Sequence, residues 1–143
     1  MNLKVQANDL LKGLMVSTKG MEIQSKRMLV IAQNMAHAGS RATNPNEDPY
    51  RAKTISFKEE FDRDNNIHYP KVNKIGRDLK PFRMIYSPGE PGADKEGFVK
   101  ETNVDSMIEM SNMRETSLSH KSNLKAYEKI LSIIQESLSL LRD

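Results

Sequence analysis

The sequence predicts a mainly α-helical protein with a β-rich insertion. Long N- and C-terminal helices are expected to pack as an antiparallel coiled-coil pair, joined by an extended β-hairpin-like middle arm. Three observations carry this prediction. Met110, Met113, Ser117, His120, Leu124, Tyr127, Leu131, Ile134, Leu138 and Leu141 advance in alternate steps of three and four residues, the a/d spacing of a coiled-coil helix, and only Ser117 and His120 are polar. The first third has its own seven-residue period in Leu14, Met21, Met28 and Met35. All six prolines fall between Pro45 and Pro91, and seven of the eight aromatic residues between Tyr50 and Phe98, so helix breakers are confined to the middle. The chain therefore divides into an N-terminal helix over 1–38, an extended, β-rich segment over 39–103 and a C-terminal helix over 104–143.

In the N-terminal helix, Leu11 and Ala32 add to the apolar side, and Val30 and Ile31 widen it near the end. A row of small residues, Thr18, Ser25 and Ala32, runs offset by four from the large ones, which lets a neighbouring helix approach closely. Gly13 and Gly20 lie inside this pattern, each costing ~1 kcal/mol relative to Ala. Two readings follow: a frayed, partly disordered start, or a segment that gains order only with a partner. Gly39, just past the last periodic residue, is placed to end the helix.

Ser40 to Asp48 reads as a polar loop. Candidate strands follow over Tyr50–Phe57, Ile67–Ile75 and Pro81–Tyr86; in the last, Phe82, Met84 and Tyr86 alternate with Arg83 and Ile85. Pro88-Gly89 and Pro91-Gly92 are tight-turn pairs, and Phe98-Val99 leads on to Asn103-Val104-Asp105. The acidic cluster Glu59, Glu60, Asp62 and Asp64 lacks the turn glycine and the spaced bidentate Glu of a calcium loop, and reads as a solvated face.

The C-terminal helix is expected to start at Ser106, in capping-box spacing with Glu109, and to run without Gly or Pro to Arg142, whose charge suits the negative end of the helix dipole. Alone in water such a helix is marginal, so its stripe requires a mate. The N-terminal helix is the expected one. Ile108, Leu118, Ile130, Ile133 and Leu140 fall off the stripe and form a second apolar flank, which implies neighbours beyond that pair.

Composition excludes several classes of function. The 22 basic and 19 acidic residues are well mixed, and no basic block advertises nucleic acid. With no cysteine there are no disulfides, no thiol chemistry and no Cys-based metal site. His37, His68 and His120 are far apart, and no pair has metal-ligand spacing. Neither a phosphate-binding glycine loop nor a nucleophile elbow occurs. An enzyme is not expected, nor any cofactor or metal. No apolar run approaches the ~20 residues of a membrane helix, so direct membrane insertion is not expected. Met1 to Gly20 lacks the apolar core of a cleaved signal peptide. The nine methionines, concentrated in the helices, suit core filling first and adaptable partner packing second.

Several stretches resemble one family. Ser17, Gly20, Gln24, Arg27-Met28, Ala32 and Asn34-Met35-Ala36-His37-Ala38 are similar to the N-terminal helix of flagellar basal-body rod proteins. Pro49-Tyr50-Arg51-Ala52-Lys53 with Phe57, and Tyr86-Ser87-Pro88-Gly89-Glu90-Pro91-Gly92-Ala93-Asp94 continuing through Gly97-Phe98-Val99 to Asn103-Val104-Asp105, resemble the proximal-rod proteins of the FlgC class. Glu109-Met110, Met113 and Asn123 fit the C-terminal helix of that class. The likeness is collinear over about residues 10–141. It departs from the pattern at His37, Thr102, Leu118 and His120, and Asp62 to Arg77 has no counterpart in it.

The resemblance implies a structural subunit of the proximal rod that assembles axially by coiled-coil packing, transmits torque and lines the export channel. It implies export by the flagellar type III apparatus without a cleaved signal, and residence in the periplasm-spanning rod of the basal body. The implied partners are copies of itself, other rod proteins, and membrane-ring and hook-basal-body components. The expected assembly interface comprises Leu14, Met21, Met28, Asn34, Met35, Asn103, Met110, Met113, Asn123, Leu124, Tyr127, Leu131, Ile134, Leu138 and Leu141. The alternative is a soluble coiled-coil adaptor or chaperone of the same export system.

Overall fold

The computed structural model describes residues 3–140; Leu141 and Arg142, the expected end of the seam and of the helix, lie outside the described residues. Six elements follow in chain order: α1 (Leu3–Ala36), β1 (Lys53–Asp62), β2 (Ile67–Arg77), β3 (Arg83–Tyr86), β4 (Phe98–Glu101) and α2 (Ser106–Leu140). The two long helices of 34 and 35 residues flank a middle made of two small two-stranded antiparallel sheets. Packing divides the chain into two compact units. One holds α1 up to Arg27, Phe57–Asn73 and α2 from Glu115 onward; the other holds Met28–Ser56 and Lys74–Arg114.

In the first unit the helix segments run in opposite directions. A Cβ built on Gly13 would stand 2.8 Å from Ile130 Cδ1, one on Gly20 2.7 Å from Asn123 Nδ2, and Arg27 pairs with Glu115 at 3.3 Å, so α2 numbers fall as α1 numbers rise. The β1–β2 hairpin reaches its turn at Asp62, whose carboxylate accepts from the amides of Asp64 and Asn65 and from Asn65 Nδ2, while Asn66 takes a positive φ of 51°. Glu60 accepts from Tyr69 and pairs with Lys71, and Glu59 pairs with His68 at 2.7 Å. The acidic cluster thus serves the hairpin locally. Lys19 lies over the Tyr69 ring at 5.6 Å and ties the hairpin to α1.

The second unit has a core of small and β-branched side chains: Val30, Ile31, Ala42, Ala52, Val99 and Val104 are buried. Strands β3 and β4 pair Arg83 with Glu101, Met84 with Lys100, Ile85 with Val99 and Tyr86 with Phe98. Residues 40–42 line the other edge of β4, through Ala42 N–H to Lys100 O (2.9 Å) and Thr102 N–H to Ser40 O (2.8 Å). There Gly92 passes so close that a Cβ on it would meet Ala42 O at 1.9 Å, which only glycine permits. Arg41 pairs with both Glu90 and Glu101 across this junction.

Several expected boundaries shift, each for a visible reason. The first strand runs over Lys53–Asp62, and just before it the Ala52 amide goes to Asn103 Oδ1 instead of to a ladder. The third begins at Arg83, two residues after Pro81, and β4 is a strand of four residues that no periodicity announces. At the start of α2 the cap is Asp105, not Ser106: its Oδ1 accepts from the amides of Met107 (3.0 Å) and Ile108 (3.2 Å), and Glu109 is engaged elsewhere. The turn after α1 ends as expected, with Gly39 at φ 78°.

Candidate assembly interface

The close-packed face of α1 is built from Gly13, Ser17, Gly20, Gln24, Arg27, Ile31 and Asn34, which advance in steps of four and three and are each half-buried or buried. Most are small or polar. The counterpart on α2 is Glu109, Met113, Thr116, His120, Asn123, Tyr127, Ile130 and Ile134, again in steps of four and three and again withdrawn from solvent, with Thr116 fully buried. Glycine at two positions of the α1 face, 13 and 20, lets the helices approach closely there, at the expense of large apolar contacts. The spacing is that of the expected seam, but the face is turned by one residue. The contacts run from Gly13 to Ile130, Gly20 to Asn123, Arg27 to Glu115 and Asn34 to Glu109, and Leu14, Met21, Met28 and Met35 stand beside them, half-buried.

The displaced row of α2 turns outward. Met110, Leu124 and Leu138 are 49, 39 and 57% exposed, and Ser117 and Leu131 between them are half-buried. A second exposed flank carries Ile133 and Leu140, and on α1 Leu11, Met15, Val16 and Leu29 are exposed. Most scattered apolar residues need no explanation, but rows at seven-residue spacing along a helix do.

Asn34 is the polar centre of the second unit. It is 1% exposed and uses both ends of its amide. Oδ1 accepts from Lys53 N (2.8 Å) and the Tyr50 hydroxyl (2.9 Å), and Nδ2 donates to Lys53 O (2.9 Å) and Glu109 Oε1 (3.0 Å). One side chain thereby fastens α1, the entry to β1 and α2. Tyr50 stacks on His37 with ring centroids 4.1 Å apart, and burial, then the Glu109 carboxylate, holds its phenol above the ordinary range.

Asn103 does a related job at the other end of the segment. Its Oδ1 accepts from Ala52 N (2.8 Å), and its Nδ2 donates to the carbonyls of Asp78 and Lys80, both at 3.1 Å. Arg51 Nη1 donates to the same two carbonyls at 2.9 Å, with its guanidinium 4.0 Å from the Phe82 ring. Among the described residues no group of three His, Asp or Glu side chains is placed to hold a metal, and no helix is long and apolar enough to cross a membrane.

Comparison with known proteins decides the family. The chain is 37% identical over 127 residues to the flagellar basal-body rod protein FlgC of Agrobacterium fabrum, covering 89% of this chain and 91% of that one. It is 34% identical over 125 residues to FlgC of Salmonella typhimurium, covering 87% and 92%, and 34% identical over 132 residues to FlgC of Buchnera aphidicola, covering 92% and 97%. No family model matches the chain. The chain belongs to the FlgC family of flagellar basal-body rod proteins.

As a FlgC-family protein it is a structural subunit of the bacterial flagellar basal-body rod, a part of the motility apparatus. Ser17, Gly20, Gln24, Arg27 and Asn34, which carried much of the resemblance to rod proteins, are the residues of the packed α1 face. Asn34 and Asn103, both in the expected assembly interface, are each a hub within the chain. The sequence pattern assigns no role to Arg51, which lies inside the Pro49–Lys53 motif, and its capping-box spacing points to Ser106, one residue past the observed cap Asp105.

Proposed function

We propose that this rod subunit assembles axially by coiled-coil packing of its terminal helices, against each other in the chain and against neighbouring copies and other rod proteins. The assembled shaft transmits torque and lines the export channel, the subunit having left the cell through the flagellar export apparatus without a cleaved signal to join the periplasm-spanning rod. In this reading the 1–38 and 104–143 helices form the shaft and the 39–103 segment makes lateral contacts, including those to membrane-ring and hook-basal-body components. The work is mechanical, with no catalysis.

The observation that carries the proposal is the outward row of Met110, Leu124, Leu138 and their half-buried neighbour Leu131 on a 35-residue helix without Gly or Pro. The α1 side of the inner face is filled mostly with small and polar groups, so the large apolar side chains of Leu14, Met21, Met28 and Met35 at its margin, with the outward row of α2, are left to knob-into-hole contacts with further helices. Heterologous contacts of this kind continue into a filament instead of closing a dimer.

The test is Leu124→Asp combined with Leu138→Asp. Both sites are exposed, so the isolated protein keeps its stability to within about 0.5 kcal/mol, while incorporation into basal bodies and swimming are lost. Normal swimming of the double variant refutes the assembly reading. A stable small oligomer of the wild-type chain in dilute solution, seen by sedimentation, would instead support the adaptor or chaperone reading.

A further inference from the structure

The loop between β2 and β3 is held more firmly than its exposure requires. Asp78 and Lys80 each offer a carbonyl to two donors, Arg51 Nη1 and Asn103 Nδ2, and Lys80 N–H closes on Asp78 Oδ1 at 2.9 Å. Asp78 N–H is anchored on Ala52 O at 2.8 Å. At the tip of this fixed loop stands Leu79, 88% exposed, the most exposed large apolar side chain among the described residues. Met84 and Tyr86 continue the apolar surface along β3, also exposed. A loop ordered in advance has already met the entropic cost that docking would otherwise impose, so an apolar tip on it binds at less expense than the same residue on a mobile loop.

The charge around the tip points to the occupant. Residues 74–83 carry Lys74, Arg77, Lys80 and Arg83 against the single acid Asp78, and Lys80, though 3.9 Å from Asp78 Oδ2, is 75% exposed. A surface of opposite character lies at the end of the β1–β2 hairpin. Residues 57–64 carry Glu59, Glu60, Asp62 and Asp64 against Lys58 and Arg63, and present the exposed rings of Phe57 and Phe61. A shallow cleft lined by Phe57, Lys58, Glu59, His68, Tyr69 and Pro70 opens beside them. The cleft itself carries Glu59, which also pairs with His68, and the other acids stand along the hairpin end, with Glu60 on Lys71. The surplus of acid over base in residues 57–64 is what suits an apolar tip with a basic rim.

We propose that Leu79 of one copy docks on the Phe57/Phe61 end of the β1–β2 hairpin of the next copy, with Lys80 facing Glu59. The contact is heterologous, so it propagates from copy to copy. It rests on the rod-assembly reading and adds to it a lateral contact outside the helices.

The chain has no cysteine, so an introduced pair reports unambiguously. Basal bodies are isolated from cells making Leu79→Cys and Phe61→Cys chains together, in place of the wild type, and are oxidised. A disulfide-linked homodimer, well above that from either variant alone, is expected, since the bond forms only where Cα atoms come within about 7 Å. Homodimer at the single-variant level overturns the contact, and so does an adduct of another mass, which would put a different rod protein on the loop. The second measurement needs no cysteine. Lys80→Glu lowers incorporation roughly three- to tenfold, the effect of a rim charge reversed, and adding Glu59→Lys in the same chain restores it. A double variant no better than Lys80→Glu alone overturns the pairing. In either experiment, basal bodies from cells making only the wild-type chain report on rod assembly separately.

Discussion

Replacing Asn34 by Leu tests the polar hub most directly. Leu has the branched outline of Asn with larger ends and suits a helix, so the change removes hydrogen bonds without leaving a cavity. Four groups lose a partner: the amide and carbonyl of Lys53, the Tyr50 hydroxyl and the Glu109 carboxylate. An orphaned buried polar group costs about 1–3 kcal/mol. All three residues are half-buried, but the two Lys53 groups belong to a fixed main chain and bear most of this, while the Tyr50 and Glu109 side chains can turn to water. The expected loss is therefore about 2–5 kcal/mol, against a total stability on the order of 5–15 kcal/mol for a domain. Urea unfolding followed by circular dichroism should show the midpoint lowered by about 1–2 M, at a slope of roughly 1–3 kcal/mol per M. A loss under about 0.5 kcal/mol would refute the hub. Asn34→Asp sharpens the test. It keeps an acceptor for Lys53 and Tyr50 but sets a second carboxylate beside Glu109, raising the folded-state pKa of the new acid. Stability relative to wild type should then be best below the ordinary carboxylate range and fall as pH rises through the raised value.

Gly20→Ala gains ~1 kcal/mol of helix propensity but drives Cβ into the Asn123 amide, costing about 1–3 kcal/mol. The same substitution in an Asn123→Ala background should stabilise by about 1 kcal/mol, and equal effects in both backgrounds, measured by thermal unfolding, would count against the close packing. Gly92→Ala meets a backbone carbonyl that no side-chain rotation can relieve, so a loss of at least ~1–3 kcal/mol is expected, and an unchanged melting temperature would contradict the loop placement. The Glu60 carboxyl is held below its ordinary range, first by its hydrogen bond from Lys71. Stability from a lowered carboxyl is present above the unfolded pKa and disappears as pH falls through the folded one. Lys71→Ala should return the Glu60 titration, followed by NMR, towards the ordinary range; an unmoved titration would remove Lys71 as the cause.

Much of the helical architecture was legible because periodicity and proline placement report backbone preference. The face of each helix was harder. Apolar spacing located the seam to within one residue, yet the row that touches in the chain is Gly13, Gly20 and Arg27 against Ile130, Asn123 and Glu115. Hydrophobic pattern marks where large side chains are, and here close approach excludes them from the contact. Residue composition alone cannot tell a contact row of small residues from a weak solvent row. The middle segment was read coarsely for another reason. Tyr50, Ala52 and Asn103 form side-chain to backbone bonds across wide sequence separations, and no local signal reveals that Ala52 N–H goes to Asn103. β4, at four residues, carries too short a pattern to be read, and its Val99 is nonetheless fully buried.

The clamp on the β2–β3 loop separates shape from chemistry. Arg51 and Asn103 grip main-chain carbonyls at 78 and 80, which every amino acid possesses, and neither touches the side chain at 79 through these bonds. The tip's position is consequently indifferent to what it displays. A lineage can exchange Leu79 for a larger, smaller or charged residue in a single mutational step without rebuilding its support. The loop behaves as a socket for interchangeable ends, and divergence between rods of different bacteria has a place to act that leaves the frame of the subunit untouched.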